Sequence, residues 1–181
     1  MAKYGKTSSL EHLNNDVLLV ICSQVSFLSF QTGEKKNSKT TAIKMLSMTN
    51  HFFRELTSPT VFRHIKISGE WDKASPGLQT FVDNPATLRD THSLEFRVIE
   101  GRDDLPTPVK DAPDRLMRVL NKFPMLENLA IILPYSWTNE FDLAFERAWI
   151  TMPAVNNLVV GFDCHFAIRH CPNVETVTSF P

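Results

Sequence analysis

The chain repeats one stretch three times, and its first copy reads Phe123-Pro124-Met125-Leu126-Glu127-Asn128-Leu129-Ala130-Ile131. The second copy is Met152-Pro153-Ala154-Val155-Asn156-Asn157-Leu158-Val159-Val160. A looser third copy is Cys171-Pro172-Asn173-Val174-Glu175-Thr176-Val177-Thr178-Ser179. The shared template is an apolar residue, proline, any residue, Leu or Val, two polar-leaning positions, and Leu or Val. Self-similarity of this kind is typical of proteins built from stacked repeats.

Each copy predicts a helix, a proline turn and a short strand. Proline cannot continue a helix and pushes the preceding residue towards extended geometry, so helices are predicted to end at Phe123, Met152 and Cys171. After the proline turn, Leu129 and Ile131 begin a period of two, which places them on one face of a strand. Upstream of the first two prolines, apolar residues follow helical spacing: Leu116, Val119, Leu120 and Phe123, then Phe141, Phe145, Ala148, Trp149 and Met152.

The succession of helix, proline turn and strand resembles the leucine-rich repeats of fungal-type F-box proteins. An earlier strand is predicted at Leu94-Glu95-Phe96-Arg97-Val98, so the strand positions are Leu94, Leu129, Leu158 and Val177. We therefore expect residues 76–181 to form an irregular α/β leucine-rich-repeat-like solenoid. We expect it to be truncated at its C-terminal end, because a repeat array needs a polar cap and none follows. The alternative is an ordinary α/β domain with parallel strands and crossover helices.

The first third of the chain carries a different, helical pattern. Asn14 is a predicted N-cap, and Val17, Leu18 and Ile21 then fall on one helix face. A second helix is predicted from about residue 41 to residue 56, and Ser58-Pro59 is predicted to open a third short helix, after which Ile65-Lys66-Ile67 turns extended. The polar stretch 31–40 is predicted to be a solvated connector.

Three parts of this region resemble an F-box over residues 8–67. They are Leu13-Asn14-Asn15-Asp16-Val17-Leu18-Leu19-Val20-Ile21, Leu46-Ser47-Met48-Thr49-Asn50-His51-Phe52-Phe53-Arg54-Glu55-Leu56, and Val61-Phe62. Asn14 stands where the family usually has Pro, and Asp16 where it has Glu. Residues 31–40 form an insertion between the two halves of the motif.

An F-box implies a small all-α three-helix module that docks on the Skp-type adaptor of a cullin–RING ubiquitin ligase. A helical module this small cannot bury all its leucines internally, so an exposed apolar strip marks a binding surface. The residues expected at the adaptor interface are Leu13, Asn14, Val17, Leu18, Ile21, Leu46 and Phe53. The alternative is that these residues pack against the chain's own repeats as an N-terminal helical cap.

The predicted fold class is therefore α+β overall, with a three-helix F-box module at residues 8–67 and the solenoid after it. The predicted function is substrate recognition in an SCF complex for ubiquitin-dependent degradation. Substrate would be bound by loops and by strand-face residues, namely Glu95, Arg97, Asn128, Ala130 and Val159. Catalysis would come from partners and this chain would supply proximity, so no enzyme is predicted. The alternative is a repeat-based interaction scaffold with no ubiquitin-ligase link.

Composition narrows the partners and the compartment. The 181 residues are 43% hydrophobic and carry a net charge of −1, whereas a dedicated nucleic-acid binder normally has a basic excess. Three cysteines without regular spacing argue for a reducing compartment. The start of the chain lacks the apolar core of a signal peptide, and the apolar stretch 17–30 is shorter than the roughly 20 residues that span a bilayer. We expect a cytoplasmic or nuclear protein with no nucleic-acid or membrane partner.

One cluster could bind a metal ion: Cys164-His165 and, four residues later, His170-Cys171. Thiolate and imidazole are suitable zinc ligands, but adjacent pairs do not reproduce the usual spacing of zinc sites. Cys171 also occupies the template's core position, which Phe123 and Met152 hold in the other copies. We therefore expect no metal and no cofactor, and a zinc-binding protein or small metal-dependent enzyme remains the alternative from another class.

Overall fold

The computed structural model describes residues 48, 51–99 and 111–180. The chain divides into two compact units, residues 1–61 and residues 62–181. In the first unit, the described secondary structure is helix α1 (His51–Val61). The second unit contains, in chain order, β1 (His64–Gly69), α2 (Trp71–Asp83), a 3₁₀ helix (Pro85–Leu88), β2 (Ser93–Val98), α3 (Ala112–Leu120), β3 (Asn128–Ile132), a 3₁₀ helix (Tyr135–Trp137), α4 (Thr138–Ala148), β4 (Asn157–Val160), a 3₁₀ helix (His165–His170) and β5 (Thr176–Ser179).

The five strands form one parallel sheet in the order β1-β2-β3-β4-β5, so every strand pairs with its neighbours along the chain. The register places the template's strand positions in a single row across the sheet. Ile65 pairs with Leu94, Leu94 with Leu129, Leu129 with Leu158, and Leu158 with Val177. The four predicted strand positions are thereby confirmed as equivalent, and Ile65 adds a fifth.

A repeated backbone contact fixes where each strand begins. The N–H groups of His92 and Ser93 both donate to the carbonyl oxygen of Arg63, at 3.0 and 3.1 Å. Residues 127 and 128 donate in the same way to His92, residues 156 and 157 to Glu127, and residues 175 and 176 to Asn156. The two polar-leaning positions of the template are therefore those whose backbone N–H groups join each turn to the preceding one.

Helices α2, α3 and α4 pack side by side against one face of the sheet. This face carries the alternate apolar residues of the strands, which are buried in β1 to β4. A chain of aromatic contacts crosses the core: Trp71 meets Trp137 at 5.5 Å, Trp137 stacks on Phe141 at 6.3 Å, and Phe141 lies 6.2 Å from Phe96, all between ring centroids. Aromatic pairs at such distances contribute beyond their buried area.

The predicted fold class is wrong. Residues 64–179 form an α/β fold with a five-stranded, all-parallel sheet and helices, which is the parallel-strand alternative named above. Residues 64–67 fall within the bounds of the expected module but belong to β1, which confirms that Ile65-Lys66-Ile67 is extended. Ile65 and Ile67 are buried and alternate with exposed His64 and Lys66. The rest of the expected three-helix module lies largely outside the described residues.

The boundaries of three helices also differ from the prediction. Helix α1 is continuous through Ser58 and Pro59, so no separate helix opens there. Helices α3 and α4 end at Leu120 and Ala148, several residues before Pro124 and Pro153. Pro59 lies inside α1 and Pro76 inside α2, so proline alone does not set the helix ends, and the tight turns that lead into β3 and β4 end α3 and α4 before their prolines.

The common row of the sheet gives a stability test with an internal control. Replacing Leu129 by Ala removes a side chain that is 1% exposed at the sheet centre, so we expect a loss of about 3 kcal/mol in the free energy of unfolding. The matched change Val177→Ala affects the same template position in β5, where the side chain is 46% exposed, and should cost less than about 1 kcal/mol. Urea unfolding of both variants measures the difference, and equal losses would contradict the difference in burial between the two positions.

Candidate functional site

Helices α2, α3 and α4 leave the second face of the sheet uncovered, and we call it the open face. Parallel sheets are usually covered on both faces, so a one-sided parallel sheet is uncommon. The side chains of the open face alternate with those of the core and are exposed or half-buried. They stand in three rows: His64, Ser93, Asn128, Asn157 and Thr176; Lys66, Glu95, Ala130, Val159 and Thr178; and Ser68, Arg97 and Ile132.

Polar contacts organise the open face on either side of an apolar centre. On β1 and β2, Lys66 Nζ lies 2.6 Å from Glu95 Oε1. On β3 and β4, Asn157 Nδ2 donates to Asn128 Oδ1 at 3.0 Å. Asn128 and Asn157 occupy the second polar position of the template in its first two copies, so their side chains lie side by side on neighbouring strands.

Between these polar pairs, the middle of the open face is apolar. Ala130, Ile132 and Val159 are half-buried there. At the carboxyl end of the strands, the Arg97 guanidinium carbon lies 4.8 Å from the centroid of the Phe180 ring, a cation–π contact. An apolar centre with a polar rim is the usual anatomy of a protein-binding surface.

All five strand-face residues predicted for recognition lie on the open face, namely Glu95, Arg97, Asn128, Ala130 and Val159. The structure adds three residues that the sequence prediction missed: Lys66, Ile132 and Phe180. The alternation Ile65-Lys66-Ile67 was a signal for Lys66. No pattern in the sequence indicates that Phe180, which follows β5, lies under an arginine of β2.

Gly161 allows close packing at the carboxyl end of the open face. A Cβ at this position would lie 3.1 Å from the Ile132 Cα and 3.3 Å from its Cγ2. The Gly161 N–H donates to the Ile131 carbonyl at 2.8 Å, which extends the pairing of β4 with β3 beyond the strand. A larger residue would push these two strand ends apart.

The Cys164–Cys171 cluster does not have the features of a zinc site. Both cysteines are buried, whereas His165 is exposed and His170 Nδ1 is 2.8 Å from the Ile150 carbonyl oxygen, to which it donates. Burial raises the pKa of the Cys164 thiol and raises that of Cys171 to about 11, which favours the neutral thiol over the thiolate that binds metals. Within residues 48, 51–99 and 111–180, no group of three or more His, Cys, Asp or Glu could hold a metal ion.

The buried Cys171 thiol predicts a dependence of stability on pH. Its folded pKa of about 11 lies above the ordinary value of 9.0, so the unfolded chain loses this proton first as the pH rises. The free energy of unfolding should therefore fall between pH 9 and 11, with this thiol contributing up to about 1.4 kcal/mol per pH unit. Urea unfolding of wild type and Cys171→Ala across this range measures the contribution. An identical slope for the two proteins would show that Cys171 does not titrate this way.

The predicted adaptor-binding residues Leu13, Asn14, Val17, Leu18, Ile21 and Leu46 lie outside the described residues. Phe53 lies in α1, but its side chain is also outside the described part. In the part of the chain that the structure describes, no helix is both long enough and apolar enough to cross a membrane. Comparisons with family models, with curated proteins and with solved structures found no match to this chain.

Proposed function

We propose that this protein is a non-enzymatic substrate-recognition adaptor of an SCF-type cullin–RING ubiquitin ligase. Its N-terminal region docks on the Skp-type adaptor, and the open face of the sheet binds a protein substrate. The ligase partners supply the chemistry, and this chain brings the substrate close to them. The site of action is the cytoplasm or the nucleus.

The observation that carries the substrate-binding half is the open face itself. Its centre presents half-buried Ala130, Ile132 and Val159, and its rim presents charged and amide groups. With the Lys66–Glu95 pair neutralised internally, Arg97 gives the described open face a small positive excess. We infer that a partner with apolar residues and at least one carboxylate fits this surface best.

The ligase half rests on the sequence resemblance. The stretch Leu46–Leu56 follows the second half of an F-box, and Leu13–Ile21 follows its first half with Asn14 and Asp16 at the variant positions. If the ligase link fails, the open face still supports the second candidate function, a protein-interaction scaffold that acts without ubiquitination.

Binding of the full chain to a purified Skp-type adaptor tests the ligase link. We expect the wild type to bind and a Leu18→Asp, Ile21→Asp double variant to bind at least about 100-fold more weakly, because two apolar anchors are replaced by charges. Circular dichroism must show unchanged helix content in the double variant. The control variant Ala130→Arg alters only the open face and should bind the adaptor normally.

Two results would contradict the ligase link. If the wild-type chain does not bind the adaptor, the scaffold function replaces it. If Ala130→Arg weakens adaptor binding as much as the double variant does, the open face takes part in docking, and the assignment of docking to the N-terminal region alone is wrong. Proximity labelling in cells then tests whether the open face binds substrate. The Ala130→Arg variant should lose partners that the Leu18→Asp, Ile21→Asp variant retains.

A further inference from the structure

A second surface lies on the helical layer, between α4 and the 3₁₀ helix at residues 165–170, and we call it the α4 groove. It consists of two shallow clefts of about 700 and about 420 Å³. Arg169 lines both clefts and separates them, because its guanidinium donates to Asp142 and Glu146 of α4. The groove thus has a polar bridge at its centre and a cleft at each end.

Exposed aromatic side chains stand at both ends of the α4 groove. At one end, Tyr135 is 69% and Phe162 is 71% exposed, with ring centroids 6.3 Å apart. At the other end, Trp149 is 90% exposed. Trp and Tyr are the residues most often found as energetic hot spots of protein interfaces, where their rings become buried against a partner.

Trp149 is also held in an unfavourable backbone conformation. It follows the last residue of α4 with φ 49° and ψ 35°, the left-handed region in which helices usually place glycine. A bulky side chain there is strained, and such strain concentrates at functional sites. Since the indole is almost fully exposed, packing within the described chain does not compensate the strain.

The charge between the aromatic ends is negative. Asp142, Glu146 and Asp163 contribute three carboxylates to the lining, whereas Arg169 contributes one cation. Asp163 makes no ion pair within the described residues. A ligand that crosses the centre of the groove would therefore gain from carrying a positive charge.

The length of the groove fixes the size of the ligand. Helix α4 has 11 residues and spans about 16 Å at 1.5 Å per residue. An extended peptide rises about 3.3 Å per residue, so roughly five residues run the length of α4, with Tyr135 shortly before this helix and Trp149 directly after it.

We propose that the α4 groove binds an extended segment of a partner protein with two apolar side chains about five residues apart and a Lys or Arg between them. One apolar side chain packs on Tyr135 and Phe162, and the other packs on Trp149. The basic side chain lies near Asp163 and the carboxylates that flank Arg169. This binding surface is separate from the open face and does not depend on the ubiquitin-ligase link.

A random-peptide phage library panned on the full chain, with counter-selection on a Tyr135→Ala, Trp149→Gly double variant, tests the proposal. We expect the enriched peptides to share the apolar–basic–apolar pattern. A synthetic peptide of that consensus, measured by fluorescence anisotropy, should bind Trp149→Gly at least about 10-fold more weakly than wild type. The same variant should have a higher unfolding midpoint, because glycine relieves the left-handed strain.

Two control variants separate the groove from other surfaces. Leu143→Ala changes an exposed apolar residue of α4 that does not line either cleft, and should leave peptide binding unchanged. Ala130→Arg changes the open face and should also leave peptide binding unchanged. This expectation does not depend on whether the chain binds the adaptor or a substrate.

Three outcomes would overturn the proposal. The first is that no peptide enriches over the counter-selected variant, and the second is that the consensus peptide binds Trp149→Gly as well as it binds wild type. If wild type dimerises in sedimentation experiments and Trp149→Gly is a monomer, the occupant is a second copy of this chain and not a partner peptide.

Discussion

Four repeated backbone contacts hold this sheet in register. At the start of β2, β3, β4 and β5, two consecutive N–H groups donate to one carbonyl oxygen of the preceding turn, on Arg63, His92, Glu127 and Asn156. Since side chains alternate in a strand, a slip by one residue would exchange the core face for the open face. The hydrogen bonds to the shared carbonyl oxygen prevent that slip. Because they are made by the main chain, any residue with a backbone N–H can donate them.

Because register is fixed in this way, the two layers of the fold have different roles. The core face carries the row from Ile65 to Val177, and the helices bury it from Ile65 to Leu158, where the aromatic contacts from Trp71 to Phe96 add to the packing. The open face retains the Lys66–Glu95 and Asn128–Asn157 pairs, which are near the surface and contribute little to stability. Side chains that contribute little to the stability of the sheet and lie on one face are well suited to binding, because they can be substituted without unfolding the sheet.

The sequence predicted the strands better than the fold or the second surface. Leu94, Leu129, Leu158 and Val177 were identified as equivalent, because the proline template and the period of two are local signals. The fold class was wrong, because the five strands pair into one parallel sheet with helices packed against it, and no local pattern in the sequence specifies that pairing. The apolar spacing places Trp149 on one face of a helix that is predicted to continue to Met152. That helix ends at Ala148, so the same spacing that predicted burial leaves the indole in solvent.

The sequence by itself determined which residues alternate in the strands and which positions are apolar enough to form a core, including Cys171 at a template position. These properties depend on neighbours within a few residues, through proline geometry and strand or helix periodicity. The tertiary structure alone decided that the helices cover one face, that Arg97 meets Phe180, and that Arg169 spans two acidic residues between the aromatic ends of the α4 groove. Each of these contacts joins residues far apart in the chain, so it exists only after strands and helices have packed in register.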